Sequence, residues 1–252
     1  MERKTTSGNS FYQYTDLLII REEPAAPLHQ ELAGIINVES ITTPFTKQPL
    51  GIFFNRILKR SFDIIFSLMV ISCVLSWMIP VIAILIWIDS RGPVFFLQKR
   101  NKRNGKLFTC IKFRSMIVNP DADILPANKN DKRITKTGHF LRDHYIDELP
   151  QFFNVLFGDM SVIGPRPHMI SDDLKYEGQI EHYRNRYNVK PGITGLAQVL
   201  GYVGSTENIN KMLERVNLDI FYQRHWSIRL DMIIIWKTII NTFFSSLHRK
   251  EI

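Results

Sequence analysis

Charge is missing from one long stretch of this chain. From Ile64 to Ile88 the sequence reads IIFSLMVISCVLSWMIPVIAILIWI, closed off by Asp63 and Asp89. Cysteine is scarce as well: Cys73 lies inside that run and Cys110 outside it. No disulfide framework can be built from such a pair, and a reducing compartment is the natural setting. The histidines show no metal-ligand spacing, and surface or core roles account for them. Acidic residues are outnumbered 24 to 32, for a formal net charge of +8. A surface of that sign suits anionic lipid head groups, phosphorylated substrates or nucleic acid. Nucleic acid is excluded as a partner, because no motif interleaves aromatic with basic residues. Residues 1 to 16 are polar. A cleavable signal peptide is therefore not expected there, and the apolar run reads as a retained anchor.

What is present begins with that run. At ~1.5 Å per residue a helix of this length reaches across a hydrocarbon core of about 30 Å. The rival reading, a core helix of a soluble protein, fits poorly, since such helices seldom run so long without a polar face. Pro80 sits within it and predicts a sharp kink. Arg56, Lys59 and Arg60 precede the run, and Arg91, Lys99, Arg100, Lys102, Arg103 and Lys106 follow it. Basic flanks belong on the cytoplasmic side, and a straight span satisfies that rule at one end only. A bent helix that enters and leaves by one face satisfies it at both, and is preferred. Ser72 and Ser76 are the nearby hydroxyls that can support backbone groups freed at the bend.

The remainder divides by composition. Residues 1–50 read as a poorly ordered extension, and Gly51 to Asp63 suits a helix lying at the membrane interface. Val94 to Leu97 and Leu107 to Phe113 are strand-like, with Asn104-Gly105 as a hairpin turn and a solvated basic cluster between them. Lys112 and Arg114 alternate with Ile111 and Phe113, so both project from one face, as an anion site requires. Residues 117 to 137 read as a surface loop. Phe140 to Leu156 has near-helical apolar spacing, which Pro150 bends or breaks.

Before that proline stand Asp147 and Glu148. Helix neighbours do not face each other, so the pair cannot act as two opposed carboxylates. One can be a nucleophile while its neighbour reaches a metal or a second group. Most adjacent acids are solvated surface, but these are embedded in apolar residues with Arg142 close by. Gly164-Pro165-Arg166-Pro167 fixes a rigid turn that presents one guanidinium, suited to phosphate. Residues 171 to 190 read as a charged surface helix. Pro191 to Tyr202, PGITGLAQVLGY, is rich in glycine. That composition lets backbone amides approach a ligand, or simply makes a tight connection. From Asn217 to Phe244, an apolar stripe with Trp226, Trp236 and flanking arginines fits a helix in the head-group layer; a soluble core helix is the rival.

Taken in order, KRSFDIIFSL, GPVFFLQKR, KFRSM, DELPQFFNVLFGDMS, GPRP, PGITGLAQV and LDIFYQRHWSIRLD resemble the bacterial sugar transferases of the monotopic phosphoglycosyl transferase family. The resemblance runs from about residue 56 to the end. It implies an α+β, mostly helical monotopic membrane protein. Its parts would be the extension 1–50, an interfacial and Pro80-kinked re-entrant helix at 51–91, and a cytoplasmic-face catalytic domain at 92–252 with a small β-hairpin. The implied reaction moves a sugar-1-phosphate, glucose or galactose foremost, from a UDP-sugar to undecaprenyl phosphate at the bacterial inner membrane. UMP is released, and exopolysaccharide, capsule or O-antigen synthesis begins. Asp147 matches the family's nucleophile and Glu148 its partner, with Mg²⁺ held between them. Lys112, Arg114, Arg142 and Arg166 are the cations expected to neutralise the diphosphate, with Gly164, Pro165, Gly192, Gly195 and Gln198 completing the substrate site. Anionic membrane lipids and a second copy of the chain are the further partners expected. Three positions depart from the pattern: Ile79 replaces a serine before the proline, Lys102 a glycine, and Tyr202-Val203 stand where an arginine is usual. The last departure supports the alternative of a non-catalytic relative that recruits pathway enzymes; retention of Asp147 and Glu148 opposes it.

Overall fold

The computed structural model describes residues 49–248, apart from 124, 126, 128–130 and 205–207. The expected poorly ordered extension therefore falls almost wholly outside the described residues. In chain order the elements are α1 (Phe53–Val70), a π turn (Ile71–Leu75), α2 (Ser76–Asp89), β1 (Phe95–Asn101), β2 (Leu107–Phe113) and α3 (Lys136–Asp143). There follow α4 (Gln151–Phe157), β3 (Ser161–Ile163), α5 (Ile170–Glu177), β4 (Gly192–Thr194), α6 (Leu196–Val199), α7 (Ile209–Arg224) and α8 (Ile228–His248). The fold is mostly helical with a small antiparallel hairpin, as the sequence predicts.

The uncharged run makes up about the last two thirds of a longer helix, Phe53–Asp89, of 37 residues. Among the described residues it is the one helix long and apolar enough to cross a membrane. Its polarity is reversed relative to a helix of a water-soluble protein. Lys59, Asp63 and Ser67, at i, i+4 and i+8, are buried, while Phe53, Phe54, Ile65, Trp87 and Ile88 are exposed. A contiguous apolar face turned outward needs a non-aqueous partner. Pro80 offers no N–H to the Ser76 carbonyl. The Ser72 and Ser76 hydroxyls donate to the Leu68 and Ser72 carbonyls, at 2.8 and 2.6 Å, so they brace the turns before the proline.

The buried face of α1 is bonded to three other elements. Arg60 donates to the Val155 and Leu156 carbonyls at 2.6 and 2.8 Å, covering unsatisfied groups at the end of α4. The Asp63 carboxylate accepts from the Ser161 hydroxyl and the Val162 N–H, both at 2.9 Å. Lys59 pairs with Asp231 of α8 at 2.8 Å. Asp231 is fully buried and also accepts from Tyr222 Oη (2.8 Å) and Trp226 Nε1 (3.0 Å). This corrects one expectation: Trp226 is buried and serves that carboxylate instead of lying in a head-group layer. Trp236 is exposed.

β1 and β2 pair antiparallel in a register that sets Phe95 opposite Phe113 and Asn101 opposite Leu107. The turn between them uses Asn104 and Gly105 at φ 62° and 67°, the left-handed region these two residues tolerate. The first strand extends past the expected Leu97 to Asn101, because Lys99 and Arg100 pair with Thr109 and Phe108 and so leave the loop. One side chain joins this hairpin to α4. The Asn154 amide accepts from the Ile111 N–H at 2.9 Å and donates to the Thr109 carbonyl at 2.7 Å.

β3 and β4 run parallel, Ser161 opposite Gly192 and Ile163 opposite Thr194. The expected surface helix at 171–190 is instead α5 followed by a 3₁₀ turn, Tyr183–Asn188. Tyr176, Ile180 and Tyr183 bury themselves against Met212 and Val216 of α7, a pattern that the surrounding charges mask in the sequence. Around β4, backbone meets backbone. A Cβ at Gly192 would lie 2.1 Å from the Gly164 nitrogen, and one at Gly195 2.3 Å from the Gly164 oxygen. Gly192→Ala is therefore expected to lower stability by ~1–3 kcal/mol, read as a lower midpoint in thermal unfolding. Gly178→Ala is the control, since a Cβ there meets nothing within 4 Å.

Candidate active site

The acid pair sits on a break between two helices. α3 ends at His144, and Tyr145 turns left-handed at φ 56°. Ile146–Glu148 form a single 3₁₀ turn, and Pro150 then starts α4. The proline does interrupt the apolar periodicity, and the interruption is what carries Asp147 and Glu148. Each is only 8% exposed.

Their surroundings drive them apart. Glu148 receives Lys112 Nζ on Oε1 at 2.8 Å and Arg166 through both guanidinium nitrogens, one reaching Oε2 at 2.8 Å. Burial alone would raise its pKa, but Arg166 and Lys112 outweigh burial and hold the carboxyl well below the usual range. Asp147 accepts no hydrogen bond from the described residues. Burial, then the Glu148 charge, pushes it up to about 6 against the pull of Lys112, Arg142 and Arg166. One carboxylate is locked and the other is open. Charges so close titrate as a pair, and groups driven apart in this way divide chemical roles between them. No cluster of three or more His, Cys, Asp or Glu occurs among the described residues. Asp147 and the remaining lone pair of Glu148 Oε2 could still hold a hard divalent ion, which binds through one or two carboxylates plus phosphate oxygens.

Of the cations expected here, Lys112 and Arg166 meet the pair directly. Arg142 donates its Nε–H to Ser115 Oγ at 2.8 Å and acts on Asp147 through its charge. Arg114 does not join them. Its guanidinium turns the other way, donating to the Arg91 carbonyl at 2.9 Å and to the Ser90 carbonyl, so it caps α2. The alternation that places Lys112 and Arg114 on one face is outweighed by the carbonyls orphaned at the helix end.

The glycine-rich residues build the support of Arg166 and do not line the pair. The Gly164 N–H donates to the Thr194 carbonyl and the Gly192 N–H to the Pro165 carbonyl, both at 2.9 Å. Gln198 Nε2 donates to the Ile193 carbonyl at 3.2 Å, and Gly195 packs on Gly164. Of the two readings of PGITGLAQVLGY, the tight connection is the one observed. Sequence reasoning missed Arg186. It is buried, donates to Asp219 Oδ2 at 2.7 Å, and reaches the Arg166 carbonyl at 2.7 Å, which fixes the turn from behind. The flanking Tyr183 and Tyr187 are the signal of its burial. Lys102, where a glycine was usual, is extended at φ −111° and pairs with Asp159, so no glycine is needed.

A double-mutant cycle tests the lock on Glu148. Arg166→Met is expected to cost about 2 kcal/mol of stability, between the ~3–5 kcal/mol of a buried pair and the ~0–1 of a surface one. Adding Glu148→Leu should recover part of that loss in denaturant unfolding, because no buried charge is then left alone.

The bacterial sugar transferase family profile matches residues 54–245. The chain is 47% identical over 217 residues to UDP-glucose:undecaprenyl-phosphate glucose-1-phosphate transferase of Klebsiella pneumoniae, covering 86% of this chain and 45% of that protein. The protein of the same description from Escherichia coli K12 is 41% identical over 215 residues, covering 85% and 45%. A UDP-N-acetylgalactosamine-undecaprenyl-phosphate N-acetylgalactosaminephosphotransferase of Aeromonas hydrophila is 40% identical over 184 residues, covering 72% and 43%. The chain thus spans less than half the length of these relatives. With a match across most of its own length, the chain belongs to the bacterial sugar transferase family.

Proposed function

We propose that this protein transfers a sugar-1-phosphate from a UDP-sugar to undecaprenyl phosphate. The observation that carries the reading is the contrast within the acid pair: a buried, unbonded Asp147 beside a Glu148 held by both Lys112 and Arg166. An Asp147 oxygen attacks the sugar-side phosphorus. The bond to the bridging oxygen breaks, and UMP leaves with the electron pair. A phosphate oxygen of undecaprenyl phosphate then attacks the same phosphorus and frees the carboxylate. Splitting one transfer between anions into two steps is what a covalent intermediate provides. Lys112, Arg142 and Arg166 offset the charge that would otherwise repel the nucleophile. Mg²⁺, held by Asp147 and Glu148 Oε2, would supply further neutralisation of the diphosphate. The relatives' names supply the substrate class, and glucose and galactose are the sugars favoured.

The same proposal includes a re-entrant membrane helix on the cytoplasmic face of the bacterial inner membrane. In its support, both ends of Phe53–Asp89 are bonded to a single domain. Lys59 and Asp63 fasten the first end to Asp231 and β3. Arg114 and the Thr137 N–H, 2.6 Å from Asp89 Oδ2, fasten the second. A straight helix of this length would set its ends ~55 Å apart, beyond the ~40–45 Å of a whole bilayer. The π turn and Pro80 are where such a helix bends. Anionic lipids would meet its basic flanks, and a second copy of the chain is a further proposed partner.

Purified protein in nanodiscs, given a UDP-sugar, undecaprenyl phosphate and Mg²⁺, is expected to release UMP. Asp147→Asn should reduce release to background while the protein still partitions with membranes; normal turnover by that variant would remove Asp147 from the role. Chelation with EDTA should stop release, and calorimetry should show Mg²⁺ binding that Asp147→Asn weakens. For topology, single cysteines at Phe54 and Arg91 should both react with an impermeant maleimide applied to the cytoplasmic face. Labelling of the two from opposite faces would establish a span.

A further inference from the structure

Beside the acid pair lies a cavity of about 110 Å³ with an unusual excess of donors. Lys112 and Arg166, the two cations on Glu148, form the wall it shares with the pair. Arg100 from β1, Gln151 from the first turn of α4 and Arg215 from α7 complete it, and Asp172 is the one acid along it. Gln151 is 2% exposed and Arg215 5%. Gln151 Nε2, Arg100 Nε and Arg215 Nε are buried without a hydrogen-bond partner. The hydrogen bonds of Arg100 and Arg215 go to neutral groups: Gln98, the Pro167 carbonyl and the Gly204 carbonyl. Asp172 and Asp173 attract Arg100, and Asp219 attracts Arg215, through charge alone, and the Nε donors stay open. Burial holds both guanidinium groups below their usual range.

Buried donors left unpaired are costly, and cations that outnumber the acids beside them add to that cost. A fold retains such a cluster where an anion relieves it. Whole-ligand pockets run to about 300–1,000 Å³, so this cavity fits a single phosphoryl group and not a nucleotide. Resting on the transferase reading above, we propose that it seats the nucleotide-side phosphate, bound by Arg100, Arg215 and the Gln151 amide. The placement follows from the shared wall. A phosphorus in front of Asp147 has Lys112 and Arg166 beside it, and its bridging oxygen leads between them into the cavity. When that bond breaks, charge builds on the leaving phosphate, and fixed donors there stabilise it without reorganising. Val203 lines the same cavity. The arginine that the sequence lacks at this position is thus replaced in function by cations from β1 and α7.

The test measures UDP and inorganic phosphate binding by calorimetry on the full chain in nanodiscs, with folding checked by thermal unfolding. Arg100→Gln, Arg215→Gln and Gln151→Glu are each expected to weaken UDP at least tenfold. Val203→Arg, which adds a cation at the wall and removes no internal bond, should tighten UDP; a merely structural cavity would not respond so. Should wild type bind UDP and every variant bind it equally well, the phosphate seat is wrong while the transferase reading stands. If phosphate binds, and Arg215→Gln weakens it, but UDP does not bind, the seat stands and the UDP-sugar reading falls. Binding of neither by wild type overturns both.

Discussion

The structure depends on a buried row of charge on a helix whose other face is apolar. Lys59 and Asp63 sit one turn apart on α1, and each finds its partner far along the chain, in Asp231 and the β3 backbone. Burying such groups is costly unless every partner is in place. Here they are: Asp231 also collects Tyr222 and Trp226, and Asp63 collects Ser161. The cost of leaving any of them unpaired is what fixes the register of the helix against the domain. Apolar packing could not do so alone, since it is non-directional.

From that fixed helix the site is assembled in two layers. α4 abuts α1 through Arg60, and the Asn154 amide ties α4 to β2, which carries Lys112. On the far side, glycine-on-glycine contact between the Gly164 turn and β4, with Arg186 behind it, aims Arg166. The two cations therefore reach Glu148 from independent supports. Glu148 is held ionised by them, and Asp147, one residue away, is left with burial and a negative neighbour. A single 3₁₀ turn thus presents two carboxylates of opposite character, which a regular helix could not bring to one cluster of cations.

Much of this was legible from residues. The uncharged run, the Asn-Gly hairpin and the break at Pro150 are local signals, governed by turn chemistry and by missing N–H groups, and each lies where expected. Arg114, Trp226 and the glycines of PGITGLAQVLGY meet partners that the sequence does not announce, for a common reason. Their partners, the carbonyls closing α2, the Asp231 carboxylate and the Gly164 backbone, are distant in sequence, and residue type alone does not reveal them. Arg186 and Tyr183 were hidden among surface charges, because a short 3₁₀ turn has too few residues to show a periodic buried face. The donors around Arg100 and Arg215 escaped notice similarly, coming singly from a strand and a helix more than a hundred positions apart.

β2 links two places that ordinarily move independently. Lys112 grips Glu148, and two residues on, Arg114 grips the Ser90 and Arg91 carbonyls just past the end of α2. Extended backbone covers that interval in ~7 Å and has almost no slack. Any displacement that tilts or draws the end of α2 is transmitted along this strap to a cation of the acid pair. The outer helix and the two carboxylates are thereby coupled mechanically, with one short strand as the rod between them.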